Sequence, residues 1–401
     1  MDFINSLFGM GTTSVVLLGA FFIAFIGYAL GSIQVKGVSL GTAGVFLMAL
    51  LCGYLFTQPG LQNIPILSKF YIEGSASTAV TSYKFIESVG LVLFVTGVGF
   101  IAGPNFFHNL KRNAKSYVPL GAIIILIGAV CTVIFALIPG IGSDYSTGIL
   151  SGALTSTPAF SAAKAVAKQE GMVALGHAVA YPFGVIGVVL FVQLMPRVVH
   201  ADLDEERKKI THVETGDVAK FKGKLLEFDD FGFTPFAVAA VFGILLGSIK
   251  FFNFFSLTTT GGALLVSLVF GHFGHIGRAD LMPSQKVLET FRELGLMVFL
   301  IGAGVSGGMS FVRYFKPIYF VYGIFMTLLP MVVGYVVAKH LLKMNLLNIL
   351  GSITGGMTST PALGTLIHVA GTSNVASAYA ATYPIALIAV VLVSQLLVRL
   401  F

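Results

Sequence analysis

Two short polar segments interrupt otherwise apolar stretches of the chain. Each carries hydroxyl side chains followed by a proline, and the two read Gly152-Ala-Leu-Thr155-Ser156-Thr157-Pro158 and Gly355-Gly-Met-Thr358-Ser359-Thr360-Pro361. A proline removes a backbone donor and clashes with the preceding turn, which costs roughly 3 kcal/mol in a helix interior. A helix that breaks here would present free backbone N–H groups at the start of its second half, and such groups bind anions such as carboxylates.

The repetition of this polar break favours a binding site. In one alternative, each proline only kinks a packed helix while the hydroxyls cap the broken turn. In a membrane, however, non-helical backbone persists only where it is buried in protein or lines a cavity, and paired breaks mark transporter binding sites. The candidate substrate-binding residues are Gly152, Thr155, Ser156, Thr157, Pro158 and Tyr181, with Gly355, Thr358, Ser359, Thr360, Pro361 and Tyr383.

The two tyrosines belong to this hypothesis because each lies on the helix that follows its motif. A short turn would bring that helix back antiparallel, so that Tyr181 and Tyr383 reach their respective breaks. Pro182 and Pro384 would loosen the backbone beside them. No lysine or arginine lies inside either motif, which favours helix dipoles over a buried cation as the partner of a carboxylate.

Composition excludes a soluble globular protein. Of the 401 residues, 56% are hydrophobic and only 10% are charged, against about 25% charged in soluble domains. The net charge is +7, yet nine of the 17 acidic residues fall within residues 197–230. A basic excess elsewhere on such a chain indicates cytoplasmic loops and not nucleic-acid binding. Cys52 and Cys131 lie in apolar runs and are expected to be buried thiols.

Apolar runs of membrane-spanning length divide the chain into two halves of six runs each. The runs are 12–33, 41–57, 86–104, 117–139, 148–168 and 172–196, then 232–249, 257–273, 287–308, 317–340, 348–369 and 374–398. We therefore expect a first membrane repeat over residues 1–196, a charged cytoplasmic linker over 197–231 and a second membrane repeat over 232–401.

The halves also repeat each other in sequence. Besides the polar motifs, the matching segments are Gly27-Tyr-Ala-Leu-Gly31-Ser-Ile33 with Gly243-Ile-Leu-Leu-Gly247-Ser-Ile249, Gly90-Leu-Val-Leu-Phe94 with Gly295-Leu-Met-Val-Phe299, and Tyr181-Pro182 with Tyr383-Pro384. The order is preserved and the offset drifts slowly, as a tandem duplication with small deletions would produce.

The orientation of the repeats depends on how the motif runs cross the membrane. Six plain crossings in each half would make the repeats parallel, whereas an odd number would invert them. The inverted arrangement places Lys36, Lys111, Arg112 and Lys115 in the cytoplasm, as the positive-inside rule favours, and makes Lys164 a periplasmic charge. We therefore predict an all-α membrane protein of two inverted repeats. Each has about five transmembrane helices, with a broken helix or re-entrant segment at its motif and both termini periplasmic.

These motifs, the Tyr-Pro pairs and the stretch GLVLFVTGVGFIAGPNFF at 90–107 resemble the aspartate:alanine exchanger family of bacterial carriers. The resemblance covers nearly the whole chain. It implies a homodimeric inner-membrane antiporter of small carboxylates or amino acids. It also implies a fold similar to those of sodium/proton antiporters and bile-acid symporters, in which two broken helices cross. Many relatives carry regulatory ligand-binding domains in the central loop, and the linker here is too short for one.

Several alternatives remain at the level of sequence. An ion-coupled symporter or uniporter would use the same motifs, whereas a passive channel fits paired breaks less well. Glu87, Glu289 and Glu293 either act within the membrane or merely cap helix starts, and His177 is either structural or proton-coupling. No cysteine lies near the pair His272 and His275, so no metal site is predicted there. No catalytic or cofactor fingerprint indicates an enzyme or a bound cofactor.

Overall fold

In a computed structural model of the chain, the apolar runs form helices. The structure describes residues 11–35, 38–39, 42–64, 67–72, 77–112, 115–209, 225–226, 228–251, 255–256, 258–314, 316–372 and 374–401. The helices of the first half are α1 (Thr12–Gly31), α2 (Ala43–Leu55), α3 (Thr78–Arg112), α4 (Tyr117–Ala136), α5 (Gly142–Ala153), α6 (Thr157–Lys164) and α7 (Glu170–Val198).

The second half repeats this succession after a short linker helix. The linker contains α8 (Leu203–Lys208), and the remaining helices are α9 (Phe233–Ser248), α10 (Thr258–Phe273), α11 (Gln285–Tyr314), α12 (Ile318–His340), α13 (Leu346–Gly356), α14 (Thr360–Ala370) and α15 (Val375–Leu400). Each motif run of the sequence is thus two helices, as a break at the proline predicts. Linker residues 210–224 and 227 lie outside the described part.

Short elements join the helices. Two antiparallel strand pairs occupy equivalent places, one after the first helix of each half, and a third pair follows α10. They are β1 (Gln34–Val35) with β2 (Val38–Ser39), β3 (Lys250–Phe251) with β4 (Phe255–Ser256), and β5 (His275–Ile276) with β6 (Ala279–Asp280). Two 3-10 helices, Pro59–Asn63 and Leu67–Phe70, precede α3.

Several long helices expose large hydrophobic side chains, as expected of segments that face lipid. On α1, Phe21 and Phe25 are 69% and 71% exposed. Six helices of the described chain, α1, α3, α4, α7, α12 and α15, are long and apolar enough to span a membrane. This is fewer than the ten or so crossings expected, because α2, α9, α10 and α13 are apolar but shorter.

The helices pack as two groups. One hydrophobic core is formed mainly by α4, α5, α7, α12, α13 and α15, so each half contributes to it equally. A second set of contacts joins α1, α2 and α3 with α9, α10 and α11. The first group contains both helix breaks, and the second packs beside it through α3, α10 and α11.

The equivalent helices α3 and α11 cross each other antiparallel. Gly97 lies against Leu288, whereas Gly302 lies against Tyr83, so residue numbers rise along one helix as they fall along the other. Where they cross, Gly90 and Gly295 leave no room for a Cβ, because each faces the backbone of the opposite helix. The contacts are reciprocal. Gly90 lies against Phe299, four residues after Gly295, and Gly295 lies against Phe94, four residues after Gly90.

Linker helix α8 binds the ends of two helices of the second half. The Leu346 N–H, at the start of α13, donates to Glu206 Oε2 at 2.8 Å. Arg207 Nε donates to the carbonyl of Ala370, the last residue of α14, at 2.5 Å. A carboxylate at a helix N-terminus and a cation at a helix C-terminus both complement the helix dipoles. The linker is therefore attached to both segments of the second broken helix.

The linker ends at an aspartate that caps α9. Asp229 Oδ2 accepts from the Thr234 N–H at 2.7 Å, and Oδ1 accepts from the N–H groups of Phe233 and Phe231 at 2.8 and 3.0 Å. The N–H of Thr234, followed by those of Phe233 and Phe231, holds the pKa of the carboxyl well below its ordinary value. A depressed pKa means that the cap stabilises the fold above the ordinary carboxyl range and is lost as the pH falls through the native value.

We predict that Asp229→Ala lowers the melting temperature of the purified protein at pH 7. The difference from the parent should shrink as the pH is lowered, because the parent carboxylate then protonates and accepts hydrogen bonds less well. Thermal unfolding in detergent across this pH range provides the measurement. Asp230→Ala, at an exposed neighbouring acid, is the matched control, and an equal loss for both variants would contradict the capping role.

Candidate functional site at two helix breaks

The first break lies between α5 and α6. The Thr155 N–H donates to Gly152 O at 2.9 Å and the Ser156 N–H donates to Ser151 O at 2.8 Å, the pattern of a Schellman helix end. That motif needs a residue in the left-handed region, and Thr155 adopts it with φ of 51°. Glycine is the usual residue there, and a β-branched side chain in that conformation is strained. The strain indicates that the threonine side chain has a specific task.

The second break has the same geometry. Thr358 is left-handed with φ of 50°, its N–H donates to Gly355 O at 3.0 Å, and the Ser359 N–H donates to Thr354 O at 3.0 Å. Helix α14 then begins at Thr360, as α6 begins at Thr157. The two motifs therefore build the same local structure.

The strained threonines join the two breaks to each other. Thr155 Oγ1 donates to Met357 O at 3.1 Å, and Thr358 Oγ1 donates to Leu154 O at 2.7 Å. Each hydroxyl thus satisfies a carbonyl that the opposite helix leaves free at its end. The prediction that the two segments are discontinuous and approach each other is confirmed. These two hydroxyl protons are committed to the protein, which leaves only the oxygen lone pairs of these side chains for a ligand.

The serines of the motifs differ. Ser156 Oγ accepts from the Ala159 N–H at 3.3 Å and so caps α6. Ser359 Oγ is buried and has no hydrogen-bond partner within the described part of the chain. Thr157 is also buried, at 7% exposed, whereas the side chains of Thr360 and Pro361 lie outside the described residues. Within the described part of the chain, Ser359 therefore has its O–H donor and its lone pairs available to a ligand, whereas Ser156 has one lone pair occupied by the cap.

The helices that carry the tyrosines pack against the breaks, as predicted. Gly152 lies against the backbone of His177 and Tyr181, and Gly355 lies against the backbone of Tyr379 and Tyr383. A side chain at either glycine would push the two helices apart. Pro158, at the second position of α6, suits a helix start because the missing N–H has no partner to lose.

His177 holds the first break together through its ring. It is fully buried, and its Nδ1 lies 2.8 Å from Ser151 Oγ on α5. The ring stacks on Phe160 of α6, with centroids 4.3 Å apart and planes 14° apart. Tyr379 occupies the corresponding place in the second half and stacks on Tyr383. The two breaks therefore share a backbone design but differ in the side chains around them.

A buried ion pair lies at the opposite end of α6 from the break. Lys164 Nζ donates to Glu87 Oε1 at 2.6 Å, and the two residues are only 6% and 9% exposed. Lys164, which the inverted arrangement counts among the periplasmic charges, is therefore a buried residue and not an exposed loop charge. A buried cation thus lies close to the first motif, although no lysine or arginine lies inside it. Glu87 does not merely cap a helix start, because it lies nine residues inside α3. Both residues occur inside apolar runs, which is the signal that the sequence offered.

The pair lines a cavity of about 390 Å³ between α3, α6 and α10. Ser161 Oγ and Thr260 Oγ1 form a hydrogen bond of 2.9 Å in its wall. Lys84 and Glu170, both roughly half exposed, form a second ion pair at its rim. The cavity is thus polar, with hydroxyl groups and both signs of charge.

The other acids named from the sequence lie at the surface. Arg292 Nη2 donates to Glu293 Oε1 at 2.7 Å, and Gln285 Nε2 donates to Glu289 Oε1 at 2.8 Å, both at exposed positions. Within the described residues, no group of three or more His, Cys, Asp or Glu side chains is placed to hold a metal ion.

Comparison with known proteins identifies the relatives of this chain. The aspartate:alanine exchanger family model, described as a predicted permease membrane region, matches residues 19–197 and 235–399. An uncharacterized transporter of Bacteroides thetaiotaomicron is 24% identical, with 94% of this chain and 97% of the relative covered. Putative transport proteins of Dichelobacter nodosus and Klebsiella pneumoniae are each 22% identical, with 97% of this chain and 99% and 98% of the relatives covered.

These relatives contain segments that this chain lacks. The alignment with the Bacteroides transporter runs over 538 residues, more than the 401 residues of this chain. The family match is interrupted between residues 197 and 235, where the charged linker lies.

We predict that Thr358→Val destabilises the protein by about 1–3 kcal/mol, because the Leu154 carbonyl loses a buried hydrogen bond. Valine has the same branching as threonine, so the backbone strain is unchanged and the hydrogen bond is isolated. Thermal unfolding in detergent measures the effect. Thr155→Val should act similarly, and the double variant should be non-additive because both bonds brace one contact. Thr12→Val, at an exposed position, is the control. A melting temperature for Thr358→Val equal to that of the parent would show that this hydrogen bond does not stabilise the contact between the breaks.

Proposed function

The chain belongs to the aspartate:alanine exchanger family of predicted permeases, and on that premise we propose that it is a secondary active carrier of small carboxylates or amino acids. The observation that carries the proposal is the pair of broken helices joined by reciprocal threonine hydrogen bonds. Broken helices at matching places in two repeats are the usual way in which a transporter presents backbone groups to a substrate inside a membrane.

The two repeats are, in this proposal, inverted relative to each other. The antiparallel crossing of α3 with α11 and the reciprocal contacts at Gly90 and Gly295 support it, because equivalent helices of inverted repeats run in opposite directions across the membrane. Such an arrangement is that of sodium/proton antiporters and bile-acid symporters. Alternating access then arises when one helix group moves against the other around the breaks.

The substrate carboxylate is proposed to bind where the helix starts meet. Helices α6 and α14 begin beside the two breaks, which contact each other through Thr155 and Thr358, so the positive ends of two helix dipoles lie in one region. Ser359 offers a buried hydroxyl without a partner among the described residues, and Tyr181 and Tyr383 border the region. Thr155, Thr157 and Thr358 are all buried, so a substrate would reach these side chains only after the surrounding helices move.

Exchange of one substrate for another is the mode that the family name suggests, with ion-coupled symport as the alternative. The protein is proposed to work as a homodimer in the inner membrane of a bacterium. Saturable uptake that is stimulated by substrate on the opposite side would support exchange, whereas large single-channel currents would exclude a carrier.

We predict that Thr157→Val weakens substrate binding by roughly tenfold without unfolding the protein, since a hydroxyl hydrogen bond to a charged group contributes a little over ~1 kcal/mol. Thr360→Val should do the same at the second break. Binding is measured by ligand-induced thermal stabilisation and transport by uptake into proteoliposomes. Thr12→Val should behave as the parent does. If both motif variants bind and transport like the parent, the motifs are structural breaks only.

We further predict that both chain ends are periplasmic, as an odd number of crossings in each half requires. Single cysteines at positions 2 and 401 are introduced after Cys52 and Cys131, both buried, have been replaced by serine. An impermeant maleimide added to intact cells should label both positions. Labelling of either one only after the membrane is opened would refute the inverted arrangement.

A further inference from the structure

We propose that Glu87 and Lys164 form a charged subsite for the head group of a zwitterionic amino acid, with the substrate carboxylate on Lys164 and its ammonium on Glu87. The inference rests on the proposed carrier function and specifies the chemistry of its substrate. It concerns residues outside the two polar motifs.

The Glu87–Lys164 pair has hydrogen-bonding groups that the described protein does not use. Lysine has three N–H donors, and within the described chain the acceptor found for Lys164 is Glu87 Oε1. Glu87 Oε2 is buried without a hydrogen-bond partner among the described residues. Buried polar groups are normally satisfied. A carboxylate oxygen without a partner and an ammonium group with N–H donors to spare are complementary to a ligand that carries both charges.

A cavity of suitable size lies beside the pair. Its volume of about 390 Å³ lies in the range of about 300–1,000 Å³ typical of small-molecule sites. Ser161 and Thr260 place hydroxyl groups in the wall, where they can bind a carboxylate or an ammonium. The cavity therefore has both the size and the polar groups that a small amino acid requires.

Lys164 lies on the same face of α6 as the polar residues of the first break. Thr157, Ser161 and Lys164 follow one another at intervals of four and three residues along α6, so they share one face of that helix. Lys164 lies seven residues beyond Thr157, about 10 Å at 1.5 Å per residue. A polar face thus leads from the cavity to the break.

Charge balance determines which ligand fits. Separating a buried ion pair leaves both charges without a partner, which is strongly unfavourable. A simple carboxylate that binds Lys164 leaves Glu87 unpaired, and a simple amine that binds Glu87 leaves Lys164 unpaired. A zwitterion supplies a partner to each charge at once, so the subsite should select amino acids over carboxylates of the same size.

The second half lacks this subsite. Since Thr157 corresponds to Thr360, Lys164 corresponds to Ile367, and since Gly90 corresponds to Gly295, Glu87 corresponds to Arg292. Arg292 pairs with its neighbour Glu293 at the surface. One head-group subsite per chain follows, on the side of the first break.

The test uses three ligands that differ only in their charged groups: L-alanine, propionate and ethylamine. Binding to the purified protein is measured by calorimetry and by ligand-induced thermal stabilisation. The parent should bind alanine at least tenfold more tightly than propionate or ethylamine. Aspartate should likewise be preferred over succinate. A parent that prefers propionate or succinate would overturn the subsite.

Two single variants then separate the roles of the charges. Glu87→Gln should lose the preference for alanine over propionate, and Lys164→Met should lose binding of both. Lys84→Met and Glu170→Gln, which alter the exposed ion pair at the rim of the same cavity, are the matched controls and should keep the preference of the parent. If Glu87→Gln and Lys164→Met also keep it, the assignment is wrong.

Folding and the parent function are checked independently. Lys164→Met leaves a buried carboxylate alone and can fail to fold, so the neutral double variant Glu87→Gln/Lys164→Met serves in its place and should be folded but unable to bind alanine. Tight alanine binding by that double variant would refute the subsite. If the parent itself takes up no amino acid or carboxylate in proteoliposomes and binds none, the carrier function fails as well. Saturable uptake by the parent, together with an unchanged preference for alanine in the Glu87 and Lys164 variants, would refute the subsite but leave the carrier function intact.

Discussion

The structure depends on one constraint: inside a membrane, a broken helix must find partners for its free backbone groups within the protein. A proline follows each break, at the start of α6 and of α14. Thr155 and Thr358 satisfy the exposed carbonyls, each across the opposite break. Neither half can do this alone, because the acceptor of each threonine belongs to the other half. Each half therefore depends on the other for these hydrogen bonds.

The two halves share a backbone structure but differ in the side chains around their breaks. Backbone features recur in both halves, among them the left-handed threonines and the glycines that admit close helix contacts. Side chains around them diverge: His177 corresponds to Tyr379, and Lys164 corresponds to Ile367. Backbone geometry is constrained in both halves by the shared crossing, whereas the side chains beside each break are free to specialise. The first break thus has a charged pair close to it, whereas the second supplies the backbone contacts that support the first.

Sequence predicts the parts of this structure that local patterns determine. Most apolar runs agree with the helices to within a few residues, although α3 extends eight residues beyond its run at each end, and the paired hydroxyl-proline motifs mark the breaks. The hydroxyl bonds across the breaks depend on which segment lies opposite, and that information is tertiary. The Glu87–Lys164 pair joins residues 77 positions apart, and local patterns do not reveal such a contact. The ends of helices likewise depend on packing, since α3 and α11 are longer than their apolar runs whereas α2 is shorter.

The attachment of α8 makes the two breaks mechanically unequal. Glu206 and Arg207 join the linker to the start of α13 and to the end of α14, so the linker is attached directly to both segments of the second broken helix. The family match is interrupted within this linker. A displacement of the linker would therefore move the second broken helix directly.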